Sequence, residues 1–331
     1  MAPKETVLET CAPPKADAAR SGVTLAMLGC GHFFVDLYSG ALGALQPLLV
    51  RQFGMSLTDA GILGGALVFS SSVMQPVYGY LSDRLRTKLF AALGPAVAGV
   101  FISSLGLAPT YGWLLLMVCL GGAGVAAFHP QGSAAVAAQV SERRGGAMAV
   151  FISAGTLGFA LGPTLFSIVA RVWGLAGGWW LGVPGVLCSG LLLSSLPGSF
   201  LGRLKAHSRA DWGPLLAVWK PLTILYLLVF IRSIVQVTFA QMIPLYLHLE
   251  RGYSTTAASY TLSLYLAAGA VGGFLGGHLA DRLGGRLVIL ISMAGSVPLL
   301  ALFFFGEGSW SIAGLLAGGL VLLFTIPVNV V

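Results

Sequence analysis

Three ionisable side chains stand within long apolar runs, and they are the residues most able to do chemistry in this sequence. Asp36 lies about halfway along the run of residues 23–50, His32 precedes it by one helical turn, and Arg232 lies at a similar depth in the run of 219–247. An ionised side chain at the centre of a bilayer costs about 2.5–3.5 kcal/mol on insertion scales, so it needs a partner, water or a proton. Asp36 is therefore predicted to be a proton-coupling site; the alternative is a permanent structural ion pair.

Two further residues, His32 and Arg232, are predicted to act together with Asp36. The spacing of His32 and Asp36 puts both on one helical face, and imidazole titrates near neutral pH, so His32 is predicted either to relay protons or to fix the carboxylate. The planar guanidinium of Arg232 suits carboxylate or phosphate-like groups, which predicts an anionic or zwitterionic small-molecule substrate. Alternatively, Arg232 simply neutralises Asp36. A substrate anion that competes with Asp36 for Arg232 would free the carboxylate to take up a proton and would couple two fluxes.

A second polar stretch, His129-Pro130-Gln131, interrupts the apolar run of residues 111–138. Proline removes a backbone hydrogen bond and bends a helix, and such breaks at membrane depth are tolerated where they line a cavity. We therefore predict that His129 and Gln131 form a substrate-facing wall, which Gln236 and Gln241 extend. The alternatives are a bend with a satisfied histidine and, for the glutamines, packing between helices.

The composition is that of a membrane protein. Of 331 residues, 56% are hydrophobic and 9% are charged, against about 25% charged in a soluble domain. The net charge of +7 is dispersed among short loops without a basic face, which argues against nucleic-acid binding. The four cysteines have no paired spacing, so neither a disulfide framework nor a zinc site is predicted. The phosphate-binding motif GxxxxGK[ST] does not occur, which argues against ATP drive within the chain.

A bilayer crossing takes about 20 apolar residues, and this length predicts an all-α protein of ten membrane helices. The spans are predicted at residues 23–50, 58–81, 89–107, 111–138, 147–170, 174–196, 219–247, 256–280, 286–305 and 309–331. The longest polar break, 197–218, is predicted to be a cytoplasmic linker between a six-helix half (23–196) and a four-helix half (219–331). Residues 1–22 are predicted to be a disordered cytoplasmic tail. Most of the 18 lysines and arginines fall on one side of this arrangement, which predicts a cytoplasmic N-terminus in a bacterial inner membrane.

A repeated loop supports two related halves. Residues 79–88 read GYLSDRLRTK and residues 277–286 read GHLADRLGGR. A repeat at this distance in so apolar a chain indicates two homologous helix bundles. Adjacent aspartate and arginine at helix ends can pair in one conformation and part in another, which predicts gating; anchoring by positive charge explains the arginines but not the aspartates. The predicted gating residues are Gly79, Asp83, Arg84, Gly277, Asp281 and Arg282.

On these residues the chain resembles the major facilitator superfamily, whose twelve helices form two six-helix halves around a central cavity. Both loops match its signature Gly-x-Leu-x-Asp-Arg between helices 2 and 3. Within the superfamily the chain resembles the fosmidomycin resistance protein group, on the stretches 31–36 and 127–132 and on Arg232. Two features depart from the pattern: Gln131 stands where the resemblance implies glutamate, and the two final helices are not in these 331 residues. The chain is expected to be either a fragment or a natural ten-helix protein.

Gly158, Gly162 and Pro163 partly match the superfamily's antiporter motif Gly-x-x-x-Gly-Pro, which favours export. Small residues at this spacing also let helices pack closely in any membrane protein. The sequence as a whole predicts a proton-coupled secondary transporter, a drug or small-molecule exporter that works as a monomer, takes its energy from a proton gradient and needs no cofactor or metal. The alternatives are a proton symporter that imports an organic anion or nutrient, and a non-transporting membrane scaffold or remnant. A membrane enzyme is disfavoured because no nucleophile, base or ligand cluster recurs at one depth.

Overall fold

The computed structural model describes residues 15–85, 87–139, 144–196 and 218–325. Within these ranges the chain forms α-helices and short helical turns without a β-strand, which confirms the predicted all-α class. The first helix begins at Lys15, so residues 15–22 are helical where a disordered tail was predicted. Residues 1–14 of that tail, Arg86, and residues 197–217 of the predicted linker lie outside the described residues.

Eleven α-helices follow one another in the described part of the chain. Those of the N-terminal half are α1 (Lys15–Phe53), α2 (Leu57–Val68), α3 (Gln75–Leu85), α4 (Leu89–Ser103), α5 (Tyr111–Gln139), α6 (Arg144–Trp173) and α7 (Gly182–Ser195). Those of the C-terminal half are α8 (Trp219–Leu249), α9 (Thr255–Leu283), α10 (Gly285–Phe305) and α11 (Gly308–Leu322). A π-helical turn, Phe69–Val73, joins α2 to α3, so these two helices form a single span.

Eight of the resulting spans are long and apolar enough to cross a membrane, and α4 and α11 are two shorter apolar helices. Together they account for the ten predicted spans. Most of their ends agree with the predicted ends to within a few residues: the span predicted at 111–138 is Tyr111–Gln139 and the one predicted at 286–305 is Gly285–Phe305. The first and last spans differ more, since 23–50 was predicted for Lys15–Phe53 and 309–331 for Gly308–Leu322. Apolar length was sufficient to find them because a bilayer imposes it.

The chain turns in the same way after α1 and after α8. Gly54 and Gly252 have φ angles of 60° and 68°, a left-handed conformation that glycine adopts without strain. Two residues later Ser56 and Ser254 precede α2 and α9, and each serine side chain accepts a hydrogen bond from a backbone N–H three residues on. Such N-caps satisfy donors that the helix start leaves unpaired. The matched turns agree with the prediction of two homologous helix bundles.

Glycines let α1 and α6 approach closely. A methyl group at Gly158 would lie 2.0 Å from the carbonyl oxygen of Phe33, and one at Gly162 would lie 2.2 Å from that of Leu37. Neither position has room for a larger side chain. The structure thus places both glycines at a helix interface, and Pro163 follows them inside α6.

Tyr38 links α1 to α7 and to the helical turn that precedes α7. Its side chain is fully buried, and its hydroxyl donates to the carbonyl oxygen of Leu181 at 2.9 Å and accepts from the N–H of Gly185 at 3.0 Å. Both polar groups next to α7 are therefore satisfied inside the bundle. The thiols of Cys30 and Cys188 also approach across this interface to 3.9 Å, and both are free.

The two halves meet near the turns that contain Gly54 and Gly252. A methyl group at Gly43 in α1 would lie 2.1 Å from the carbonyl oxygen of Ala240 in α8. The hydroxyls of Thr164 in α6 and Ser263 in α9 are hydrogen-bonded at 2.8 Å. These contacts lie in the helix segments away from the repeated loops, so the bundle is closed at the opposite end from those loops.

Candidate functional site

Asp36 lies between two histidines. Its Oδ2 is 3.3 Å from Nε2 of His32, one turn earlier in α1, and its Oδ1 is 3.2 Å from Nε2 of His129 in α5. The side chains of Asp36 and His129 are 19% and 24% exposed, and that of His32 is 8% exposed. Each carboxylate oxygen therefore faces one imidazole. The contact with His32 was predicted from the spacing, whereas the contact with His129 was not.

Backbone carbonyls determine the tautomer of both rings. Nδ1 of His32 lies 2.8 Å from the carbonyl oxygen of Phe151, and Nδ1 of His129 lies 2.8 Å from that of Val125. A carbonyl oxygen only accepts, so each Nδ1 carries a hydrogen and donates it. In a neutral imidazole the remaining nitrogen, Nε2, is then an acceptor. Both Nε2 atoms point at a carboxylate, which when ionised is also an acceptor only.

The number of protons that this cluster holds follows from these contacts. Without a proton at either Nε2–oxygen contact, three acceptors would converge in a partly buried site. One proton makes one of the contacts a hydrogen bond and gives the cluster a net charge of zero. A second proton makes both contacts hydrogen bonds and gives a net charge of +1. The geometry of Asp36, His32 and His129 thus suits a site that holds one or two protons.

Aromatic rings and a glycine enclose the cluster. The ring of His32 stacks on that of Phe151 with centroids 4.1 Å apart, and Phe128 lies on another side at 6.0 Å. Gly155 of α6 is buried next to the ion pair: a methyl group there would lie 2.5 Å from Nε2 of His32 and 2.6 Å from Oδ2 of Asp36. The absence of a side chain at this position lets the backbone of α6 pack directly against the polar atoms.

Arg232 is not the partner of Asp36. In α8 its Nη1 donates to Oε1 of Gln236 at 2.9 Å, and its Nη2 lies 3.4 Å from the hydroxyl of Ser233. Among the described residues no carboxylate pairs with the guanidinium, and its buried Nε has no hydrogen-bond partner. The hydroxyl of Tyr265 in α9, near enough to interact electrostatically with the guanidinium, is also buried without a partner.

The three predicted glutamines have different surroundings. Gln131 is 2% exposed, and its amide binds three groups of the repeated loop and the helix after it: the N–H of Ala91, the hydroxyl of Ser82 and the carbonyl of Thr87. Gln236 accepts from Arg232. Gln241 lies against Gly64 where the halves meet, and its Oε1 has no partner. Substrate binding by these glutamines stays a prediction.

The predicted gating residues lie at the other end of the bundle from the contacts between the halves. Asp83 and Arg84 at the end of α3 are exposed, as are Asp281 and Arg282 at the end of α9, and in the described part of the chain none of the four forms an ion pair. Gly79 of α3 packs on Pro130: a methyl group there would be 3.5 Å from the proline ring. The symmetry-related Gly277 is half-buried in α9. Their role in gating stays a prediction.

One group of side chains in the described ranges could hold a metal ion, namely His32, Asp36 and His129. One ligand atom from each lies within 4.8 Å of the others. This group could not be predicted from the sequence because only His32 and Asp36 lie close together in the chain. His129 reaches them from α5, and the available signal was its own depth in an apolar run. Tyr265 and Gly155 were also missed, since their importance depends on which helices are adjacent.

Comparisons with known proteins were made on sequence and on structure. Residues 28–331 match the family model of the Major Facilitator Superfamily. The chain is 30% identical over 321 residues, 93% of its length and 77% of the relative's, to the uncharacterized MFS-type transporter YfnC of Bacillus subtilis (strain 168). It is 26% identical over 297 residues, 87% of its length and 72% of the relative's, to the fosmidomycin resistance protein of Escherichia coli (strain K12). Among solved structures it is similar, with a TM-score of 0.76 and 16% identity over 94% of this chain and 74% of the other, to a bacterial homolog of the human lysosomal transporter Spinster, inward-facing and unoccupied.

Proposed function

This chain belongs to the Major Facilitator Superfamily, and from that premise we propose that it is a proton-coupled exporter of small polar or drug-like molecules. Membership makes it a multi-pass membrane transporter of small molecules and not an enzyme, since the relatives and structural neighbours are transporters. The finer proposal concerns its energy source, its substrate charge and its direction. The carboxylate between two histidines is the observation that carries it.

The energy source is a proton gradient acting on the cluster of Asp36, His32 and His129. The three side chains lie within membrane-spanning helices, and protons can reach the buried His32 through Asp36 and His129, which are partly exposed. Their hydrogen-bond pattern fits one or two protons, as derived above, and a change between these states alters the charge of the site by one unit. A change of charge at this depth is energetically costly, so the protonation state favours one conformation over another.

The substrate anchor is Arg232 in the opposite half. Its guanidinium has no described carboxylate partner, and one of its buried donors is unused. The hydroxyl of Tyr265 is a second unused hydrogen-bond donor close by. An anionic or zwitterionic substrate would satisfy both donors, because carboxylate and phosphate-like groups accept several hydrogen bonds at once. Because Arg232 does not contact Asp36, we replace the predicted competition for Arg232 with a simpler scheme. In it the substrate neutralises Arg232, and protons neutralise Asp36.

Transport would proceed by rocking of one half against the other about these midplane sites. The ends that carry Asp83, Arg84, Asp281 and Arg282 would approach when the other end opens, which gives the exposed loop charges partners that they lack here. The positive charge of the loops supports a cytoplasmic N-terminus in the bacterial inner membrane. We propose a monomer as the working unit, since each half supplies one of the two sites.

Export rather than import rests on two observations. The chain is similar to a protein named for fosmidomycin resistance, and Gly158, Gly162 and Pro163 follow the spacing of the antiporter motif. Expression of this chain in an Escherichia coli strain deleted for its own fosmidomycin resistance protein tests direction. An exporter lowers cellular accumulation of fosmidomycin, or of another toxic compound from a panel, and raises resistance. Increased accumulation of the active compound would reverse the direction to import.

The coupling test uses purified protein in liposomes with an imposed pH gradient. Asp36→Asn is expected to abolish uptake driven by the gradient while counterflow of substrate between equal pH values persists. Glu307→Gln is the matched control, because Glu307 is an exposed carboxylate that makes no side-chain cap. Gradient-driven transport by Asp36→Asn at the unaltered rate would refute coupling at this site. In the same assay, Arg232→Gln should reduce the transport of an anionic substrate more than the transport of a neutral one.

A further inference from the structure

The same three side chains have a second capacity that does not depend on transport. We propose that His32, Asp36 and His129 form a binding site for a divalent transition-metal ion, with Zn²⁺ as the ion it fits best. Two imidazoles and a carboxylate are ligands that Zn²⁺ accepts in proteins, with a fourth position left for water or another ligand. The proposal rests on distances, on the orientation of both rings and on the space around them.

The distances are close to those of a zinc site. Bonds of about 2.0–2.2 Å in a tetrahedral arrangement put neighbouring ligand atoms about 3.4 Å apart. In the structure the contacts of Asp36 with His32 and His129 are 3.3 and 3.2 Å, and one ligand atom from each of the three lies within 4.8 Å of the others. The two contacts use different oxygens of the Asp36 carboxylate, and the widest separation in the group exceeds the zinc value by about 1.4 Å at most.

Both histidine rings already have the orientation of metal ligands. A metal-bound histidine usually donates its other ring N–H to a carboxylate or backbone carbonyl, which fixes the tautomer and the ring. Here Nδ1 of His32 donates to Phe151 and Nδ1 of His129 donates to Val125. The two Nε2 atoms therefore present their lone pairs to the carboxylate of Asp36. Three acceptors that converge need a cation between them, and a metal ion meets this need as well as protons do.

Space and charge agree with this assignment. A methyl group on Gly155 would lie 2.5 Å from Nε2 of His32 and 2.6 Å from Oδ2 of Asp36, so the glycine keeps the α6 side of the cluster free of a carbon atom that would displace these ligand atoms. Zn²⁺ with one carboxylate and two neutral imidazoles has a net charge of +1, the same as the cluster with two protons. The net charge of the site is therefore unchanged when the ion replaces the two protons. Hard cations such as Mg²⁺ and Ca²⁺ prefer sites made of oxygen ligands, so this nitrogen-rich site should select against them.

The test measures binding of the metal alone to the full chain, purified in detergent without a polyhistidine tag. Titration calorimetry with Zn²⁺ gives the affinity, and the visible absorption of added Co²⁺ reports whether the ion is four- or five-coordinate. His129→Ala is expected to weaken binding by about 100-fold or more, beyond the 10- to 100-fold that loss of an outer partner causes. His278→Ala is the matched control, since His278 is an exposed histidine of α9.

A second variant leaves every ligand in place. Gly155→Ala puts a methyl group among the ligand atoms and should reduce Zn²⁺ affinity, whereas Gly190→Ala, where nothing lies within 4 Å of the added carbon, should not. Gel filtration of each variant checks that it is folded. Equal Zn²⁺ affinity in the wild type, His129→Ala and Gly155→Ala would overturn the proposal, and so would a Co²⁺ spectrum like that of the hydrated ion. Because no step requires transport, failure here leaves the proposed function standing, and the reverse also holds.

Discussion

Gly158→Ala tests whether the close approach of α1 and α6 positions the cluster of Asp36, His32 and His129. The added methyl carbon would lie 2.0 Å from the carbonyl oxygen of Phe33, whereas favourable contacts between heavy atoms begin at about 3.5 Å. The obstacle is backbone, so the helices themselves must separate by about 1 Å or more. Overpacking of this kind costs about 1–3 kcal/mol, and a rigid neighbour argues for the upper end.

The separation has a second effect at the site. His32 on α1 donates to the carbonyl of Phe151 on α6 at 2.8 Å, and an increase of about 1 Å takes this distance beyond hydrogen-bond range. The ring of His32 then loses its fixed tautomer. Gly158→Ala should therefore lower the melting temperature in detergent by about 5–10 °C and also reduce gradient-driven transport in liposomes.

The control for Gly158→Ala is Gly61→Ala, because nothing lies within 4 Å of a methyl group there and the substitution itself favours helix formation. A melting temperature and transport rate at wild-type values in Gly158→Ala would refute the reasoning, since the helices would then have room that the structure denies them. Loss of transport with unchanged stability would mean that the glycine acts on the site without holding the helices together.

Three further substitutions have outcomes that follow from single contacts. Tyr38→Phe removes the two hydrogen bonds of the hydroxyl with Leu181 and Gly185 inside the bundle and should lower the free energy of unfolding by about 1–3 kcal/mol, measured by denaturation in mixed micelles; an unchanged value would mean that water replaces the hydroxyl. Gln131→Ala removes the hydrogen bonds that join the end of α3 to the start of α4. It should lower the free energy of unfolding by about 2–4 kcal/mol and make the connection between these helices more accessible to protease; unaltered cleavage would contradict this. Ser263→Ala removes the hydroxyl pair between the halves and should increase labelling of a cysteine placed near the Gly54 turn. Unchanged labelling would mean that apolar contacts alone keep that end of the bundle closed.

Apolar length and the repeated loop were sufficient to predict the helices and the two halves. The reason is local: a bilayer demands about 20 apolar residues per crossing, and one helical turn separates His32 from Asp36, so their contact needs no knowledge of tertiary structure. The matched turns at Gly54 and Gly252 also follow from residues close together in the chain.

Contacts between helices were not predictable in this way. His129 reaches Asp36 from α5, and the glycines of α6 let that helix pack directly on α1 beside the cluster. The predicted neutralisation of Asp36 by Arg232 is not seen in the described residues, because the histidines are nearer and α8 directs the guanidinium toward Gln236. For Gln131 the sequence offered a polar residue at depth but not its partners, which belong to the loop that packs beside it.

Small residues and neutral hydroxyls make part of the contact between the halves, and this limits how firmly that contact holds the halves together. Glycine and alanine backbones meet there, together with the hydroxyls of Thr164 and Ser263, and a neutral hydrogen bond contributes only about 0.5–1.5 kcal/mol. Acyl chains of lipid can take over the remaining apolar contacts at little loss. In the rocking scheme proposed above, a few kcal/mol would separate the two orientations, which is within the reach of one bound solute or one captured proton. The thickness and fluidity of the surrounding bilayer should accordingly change the turnover rate as strongly as many substitutions do.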